Sequence, residues 1–266
     1  MARDLTSVLV RGRLLARAYA GGLDGDLRRR WALRVNVIAL ANLSLNTLTE
    51  RRQPQGNASI QHPVFARVWS RISGKVGSDR QRAELLAGLR GRVLEVGAGD
   101  GRNFAHYPRE VSEVLAVEPE PYLRRLASEA ARAAPVSITV LDGTAELLPL
   151  DDGACDSVVS SLLLCSVTDQ ETTLAELRRV LVPGGELRFY EHVMAHQSFG
   201  KAVQAGLDAS GIWPQLGAGC HLARDTVGAI VAAGFTLEQV RRFTSGPGSL
   251  GIPFVLGTAR RHSTHT

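Results

Sequence analysis

The segment Val93-Leu94-Glu95-Val96-Gly97-Ala98-Gly99-Asp100-Gly101 runs from apolar residues straight into a glycine turn. Glycine lets a backbone turn sharply, and it lets a ligand reach the main chain with no Cβ in the way. A dinucleotide fingerprint G-x-G-x-x-G would need glycine at position 102, where Arg102 stands; the third glycine comes one residue early, at Gly101. No Lys-Ser or Lys-Thr follows the turn, so a phosphate-cradling loop is excluded as well. The ligand these residues suit is a nucleoside without phosphates.

Two further acidic positions fit such a ligand. Glu118 ends the apolar run Val114-Leu115-Ala116-Val117, nineteen residues beyond Gly99, where a carboxylate can accept from both hydroxyls of a ribose. Asp142-Gly143-Thr144-Ala145-Glu146 ends the next run and offers an acidic side chain and bare backbone to an adenine amine. Each carboxylate alone could be a turn residue or a helix cap. Three at the carboxyl ends of successive strands argue for a ligand.

These residues must be held by alternating helices and short strands. Strands are expected at Arg92–Val96, Glu113–Glu118, Ser137–Asp142, Cys155–Ser161 and Glu186–His192, with helices at Asp79–Leu89, Pro121–Ala133 and Asp169–Leu181. Pro183-Gly184-Gly185 stops the last of these helices. A helix at Ala223–Ala233 then precedes strands at Thr236–Phe243 and Pro253–Ala259, joined by a Gly- and Pro-rich loop, Thr244–Gly251. With no helix between them, those two strands pair antiparallel. The expected fold is α/β: a Rossmann-like, doubly wound, seven-stranded sheet, mostly parallel with an antiparallel C-terminal strand pair.

From Arg92 to Gly185 the sequence resembles the class I S-adenosylmethionine-dependent methyltransferases. Glu95 to Gly101 looks like their first motif, Glu118 like their ribose acid, Asp142-Gly143 like their adenine-side motif, and Leu181-Val182-Pro183-Gly184-Gly185 like their helix-to-strand turn. The resemblance implies S-adenosylmethionine as cofactor, with Glu95 holding the methionine ammonium and Gly97, Ala98, Gly99 and Gly101 lying along it. It places Pro119 near the adenine beside Gly143, Thr144 and Ala145, and Ser160 to Cys165, Leu162 included, along the sulfonium. Four further stretches resemble the branch of the thiol S-methyltransferases: Leu164-Cys165-Ser166-Val167, Tyr190-Glu191-His192-Val193, Gly219 to Thr226, and Pro253-Phe254-Val255-Leu256-Gly257.

Methyl transfer from a sulfonium is an in-line displacement, so the enzyme must chiefly hold nucleophile, methyl carbon and sulfur aligned in a dry site. The expected acceptor is a small, fairly apolar thiol or a hydroxylated aromatic such as a quinol; a thiol would react as its thiolate. Glu191 and His192 end the fifth strand, facing the expected acceptor, and His192 is either a general base or a hydrogen-bonded structural residue. His221 reads as an N-cap or pocket wall, with a base role as the alternative. Neighbours in sequence such as Cys220-His221 cannot alone furnish a tetrahedral site, so no metal is expected. Cys165, after Leu162-Leu163-Leu164, reads as a small buried hydrophobe, and His106 and Tyr107 lie either near the methionine end or on the surface. Competing readings are a non-catalytic S-adenosylmethionine-binding module and a nucleotide-dependent oxidoreductase, the latter opposed by Arg102.

Charge is uneven along the 266 residues: positions 1–60 carry a net +6, leaving −1 of the chain's +5 for the rest. A neutral catalytic region gives no reason to expect a nucleic-acid partner. Residues 1–57 read as a basic helical N-terminal extension and 58–266 as the methyltransferase domain, with Phe65 and Trp69 on a helix just inside it. Residues 1–53 suit a docked helical extension, a peripheral membrane contact or a dimer contact. Three scattered cysteines with no C-x-x-C suggest reduced thiols and a cytoplasmic location. The run Val35 to Leu45 is too short and too polar to span a bilayer, and Arg29-Arg30 lies too deep for an export signal.

Overall fold

The computed structural model describes residues 79–195, 198–211, 213, 219–245 and 252–262. The expected N-terminal helices, the boundary at 57/58, Phe65 and Trp69, and most of the loop before the last strand lie outside the described residues.

Seven strands form one sheet: β1 Gly91–Val96, β2 Val111–Val117, β3 Ile138–Leu141, β4 Cys155–Ser161, β5 Leu181–His192, β6 Phe235–Ser245 and β7 Ile252–Arg261. Their order is β3-β2-β1-β4-β5-β7-β6. Strands β1 to β5 pair in parallel. Strand β7 enters between β5 and β6 and is antiparallel to both. Because β1 has β2 on one side and β4 on the other, the connections leave in opposite directions there. A cleft for ligands therefore opens beyond the carboxyl ends of β1 and β4.

The helices are α1 Asp79–Leu86, α2 Pro121–Ala131, α3 Gln170–Val180, α4 Ser198–Ala209 and α5 Thr226–Ala232. Local chemistry sets their starts. Pro121 opens α2, and the Glu120 carboxylate accepts from the Leu123 N–H at 2.7 Å. Asp169 accepts from the Thr172 N–H at 3.0 Å, and Asp225 from the Gly228 N–H at 3.1 Å. Asp225, not His221, therefore caps the helix that follows the Cys220 loop. This helix starts at Thr226 rather than Ala223, because the side chain that can cap it comes two residues later.

Two apolar layers cover the sheet. One packs Leu174, Leu177 and Val180 of α3 and Ile230 of α5 on Leu94, Val158, Leu187 and Phe189. The other packs Leu85 and Leu86 of α1 and Ala127 of α2 on Val93, Val114, Val159 and Tyr190. Each fully buried leucine contributes about 2 kcal/mol of transfer free energy, enough in aggregate to hold the strand ends in register.

One boundary differs from expectation. Helix α3 stops at Val180, and Leu181 already pairs with Cys155, whereas Glu186 pairs with Ser157. Pro183-Gly184-Gly185 thus bulges out within the edge of β5 instead of ending the helix. Gly185 fits there because a Cβ would meet the carbonyl oxygens of Asp156 and Val182 at 2.9 Å. Among the described residues no helix is long and apolar enough to cross a membrane.

Candidate functional site

The turn after β1 is tied to β2 by its own backbone: the N–H groups of Gly97 and Ala98 both donate to the Val117 carbonyl, at 2.9 and 3.1 Å. Gly97 and Gly99 have φ of +71° and +59°, where other residues are strained. They serve different purposes. A Cβ on Gly97 would lie 2.7 Å from Leu163 Cδ1, so the glycine lets the Leu163 side chain of the β4 turn pack close against the loop. A Cβ on Gly99 would meet nothing within 4 Å, so the main chain there fronts open space. Gly101 instead packs against the Phe104 ring.

Glu118 closes the other side of that space. Its Oε2 accepts from the Gly99 N–H at 2.8 Å and its Oε1 from the Glu120 N–H at 3.0 Å. Burial raises its pKa while the two N–H donors oppose the rise. Two used acceptor sites on a carboxylate leave others for a ribose diol.

Arg124, on the first turn of α2, was not singled out by sequence reasoning. Its Nη1 donates to the carbonyls of Glu118 and Pro119 and to Asp142 Oδ1, at 2.8, 3.0 and 2.8 Å. One guanidinium thus aligns the tips of β2 and β3. Asp142 remains exposed, Gly143 lies under Pro149 against Val117, Thr144 is half-buried and bridges to Leu147, and Ala145 is part of the core. The rim is therefore shaped mainly by Arg124, Pro119, Asp142 and backbone.

Glu95 lies wholly buried one strand inward. Asn103 Nδ2 donates to its Oε1 at 2.8 Å and Tyr107 Oη to its Oε2 at 2.7 Å, while Arg82 on α1 donates to Asn103 at 2.9 Å. Burial lifts the Glu95 carboxyl to about 7 against these donors and the Arg82 charge. Tyr107 is therefore a buried partner of Glu95, whereas His106 is partly exposed, 3.6 Å from Asp79. Asn103 could have been suspected only from its place one turn after the glycines.

At the tip of β4 the chain turns through Leu162, whose φ of +59° is unusual for a leucine. Glu191 holds that turn: it accepts from Ser160 Oγ at 2.7 Å and from the N–H groups of Leu163 and Cys165 at 3.2 and 3.3 Å. Three protein donors engage it and it is fully buried, an arrangement that suits framing the turn.

His192, one residue on, faces the opposite side of β5. Its Nδ1 lies 3.2 Å from Cys220 Sγ and 3.7 Å from Cys165 Sγ, and its ring leans on Phe254 at 4.5 Å between centroids. The neighbouring Cys220 sulfur and burial push the Cys165 thiol well up. Cys165 is thus buried, as expected, but it is one of three polar neighbours rather than a filler. The loop bearing Cys220 is clamped to the β4 turn: the His221 N–H donates to the Cys165 carbonyl at 2.7 Å, and Arg224 donates to the carbonyls of Leu164 and Val167 at 2.9 and 2.7 Å. The His221 ring points away, 3.9 Å from Asp208.

A separate open groove of about 410 Å³ lies at the opposite end of the sheet, lined by Arg90, Asp156, Pro183, Arg188 and Arg260 among others. It contains none of the residues of the glycine loop, the strand tips or the Cys165–His192–Cys220 group.

Residues 94–189 match the family described as a methyltransferase domain. The chain is 33% identical to the mouse thiol S-methyltransferase TMT1B over 183 residues, which is 66% of this chain and 74% of that protein. It is 36% identical to the human thiol S-methyltransferase TMT1A over 157 residues, 57% of this chain and 63% of that one. Among solved structures, an S-adenosylmethionine-dependent methyltransferase of Thermotoga maritima aligns over 74% of this chain and 97% of its own, with a TM-score of 0.56 at 21% identity. That likeness is one of fold.

Proposed function

Because this chain belongs to the class I S-adenosylmethionine-dependent methyltransferases, on the branch of the thiol S-methyltransferases, we propose that it methylates a small, fairly apolar thiol. The observation that carries the cofactor site is the Gly99–Glu118 hydrogen bond, 2.8 Å long, beside main chain that fronts open space. S-adenosylmethionine supplies an electrophilic methyl on a sulfonium when bound.

The chain's own residues then have distinct tasks. The free lone pairs of Glu118 accept from the ribose hydroxyls, and Asp142, steadied by Arg124, accepts from the adenine amine with Pro119 and the backbone of Gly143, Thr144 and Ala145 as the rim. Glu95, backed by Asn103 and Tyr107, receives the methionine ammonium. The backbone of Gly97 to Gly101 and of Ser160 to Cys165 shapes the slot between them, and Glu191 fixes the second of these segments. On the acceptor side stand His192, Cys165, Cys220, Leu222 and Phe254, an apolar wall with three groups able to stabilise a thiolate. Dry packing there favours a sulfur nucleophile, which loses less on desolvation than an oxygen anion.

The test is incubation of the full chain with labelled S-adenosylmethionine and a panel of alkyl thiols, aryl thiols and quinols. Labelled methyl thioethers are expected. Transfer only to oxygen acceptors, or cofactor binding with no transfer to any, would overturn the proposal.

A further inference from the structure

We propose that Cys165, His192 and Cys220 form a three-ligand site for a soft divalent cation such as Zn²⁺, whose fourth position takes the acceptor thiol. The inference rests on the thiol reading above and adds the means by which the thiolate is made. Cys165 Sγ, His192 Nδ1 and Cys220 Sγ lie within 4.8 Å of one another, and all three residues are buried. In a tetrahedral zinc site, bond lengths of about 2.3 Å to sulfur and about 2.0 Å to nitrogen set S···N edges near ~3.6 Å. The observed Nδ1···Sγ separations, 3.2 and 3.7 Å, bracket that edge. Two sulfurs and an imidazole are also the donor set that zinc and its soft neighbours prefer over magnesium or calcium.

The site is built on three separate elements and braced. His192 ends β5; Cys165 sits in the turn that Glu191 holds; Cys220 is carried by a loop locked to that turn through the His221 N–H and Arg224. Phe254 packs on the His192 ring and limits its rotation. Among the described residues no fourth Cys, His, Asp or Glu completes the set. Three protein ligands with an open corner are the arrangement of catalytic rather than structural zinc.

Location supplies the role. Cys165 is two residues past Leu163, whose side chain lies against Gly97 of the cofactor loop, and the proposal turns the open corner towards the reacting end of that slot. An acceptor thiol that ligates the cation loses its proton to solvent, because the bound thiolate is stabilised by the metal charge. Its sulfur lone pair forms the new S–C bond as the sulfonium C–S bond breaks, and the electron pair leaves with the donor's sulfur, now a neutral thioether. The methylated acceptor, also a neutral thioether, is a poorer ligand and departs. No oxidant or reductant is needed.

The experiment titrates Co²⁺, the spectroscopic stand-in for zinc, into reduced, metal-free full-length protein, and then adds 2-mercaptoethanol. Expected are one Co²⁺ per chain with thiolate charge-transfer and tetrahedral d–d bands, at least tenfold weaker binding in Cys220→Ser and in Cys165→Ser, and unchanged binding in Cys155→Ser. The small thiol should shift the charge-transfer band. Absence of stoichiometric binding, binding unaffected by Cys220→Ser in a protein whose melting temperature is preserved, or bands indifferent to the thiol each overturn the proposal. Methylation is measured in parallel on the metal-free protein. Full activity towards thiols without metal sinks the metal site and leaves the thiol reading standing; thiol-shifted cobalt bands without methylation by the zinc-loaded protein sink the thiol reading instead.

Discussion

The N–H of Gly99 donates to the Glu118 carboxylate at 2.8 Å, so the glycine loop and the tip of the second strand are joined before any nucleoside arrives. One side chain therefore shapes the loop and, on the proposed function, also receives the ribose. Replacing Glu118 with alanine removes both functions and should weaken S-adenosylmethionine binding by tenfold or more. Glu118→Gln keeps one acceptor oxygen and should lose less. Gly99→Val places a branched side chain in the open space and should weaken binding as strongly as Glu118→Ala. Calorimetric titration checks the order, and equal affinity in all three variants would remove this assignment.

If Glu95 receives the methionine ammonium as proposed, cofactor affinity should depend on pH. Its carboxyl, lifted to about 7 by burial, must be ionised to face an ammonium group. Below that value binding has to release a proton, so affinity should fall about tenfold per pH unit, and above it level off. Glu95→Gln should bind more weakly and with no such slope. The same shift has a stability consequence of the opposite sense. With the folded value raised above the unfolded one, the protonated carboxyl favours the fold below about 4.5, and that advantage is lost as pH rises through 7. Melting temperatures of wild type and Glu95→Gln should therefore converge at acid pH, with the variant the more stable at pH 8.

Arg124 gives a third test, since a single nitrogen aligns two strand tips. Its salt bridge with Asp142 is exposed and contributes about 1 kcal/mol at most, so the fall in melting temperature of Arg124→Ala should come mainly from its two part-buried bonds to carbonyls, at about 1 kcal/mol each. Its two bonds to carbonyls hold the tip of β2, the rim proposed for the adenine. The variant should bind S-adenosylhomocysteine three- to tenfold more weakly, and titration of the two proteins at one salt concentration settles it.

What could be read in advance follows from how far apart the determinants lie along the chain. Strand β4 was expected at Cys155–Ser161 and is found there, because its apolar run is bounded by turn residues. The glycine loop and Glu118 were legible because each follows its own strand directly. Arg124 was not, since nothing local distinguishes it from Arg125, which pairs with Glu129 on the surface and lies over the Tyr122 ring. The Cys165, His192 and Cys220 group was hidden for a related reason. Its members are 27 and 28 residues apart, and only the end of β5 and the clamping of the 220–224 loop bring them together. Looking for metal ligands among sequence neighbours paired Cys220 with His221, whose ring points elsewhere. Helix α4 lies in the stretch after β5 for which the sequence offered no transferable pattern.

Glu191 separates a framing role from a catalytic one. Glu191 accepts from three protein donors, Ser160, Leu163 and Cys165, and is fully buried, so the expected role is to frame the turn rather than to carry a proton. Removing a buried acceptor strands its donors at about 1–3 kcal/mol each, so Glu191→Ala should lower the melting temperature by roughly 5 °C or more. Glu191→Gln can still accept with its carbonyl oxygen but turns an NH₂ towards donors, and should be destabilised by less. Activity should fall in both through loosening of the Leu162–Cys165 turn, raising KM for the acceptor along with lowering kcat. The shape of the pH–rate profile should stay that of the wild type. Were Glu191 the base, Glu191→Gln would instead retain its melting temperature and KM while losing the acidic limb of that profile.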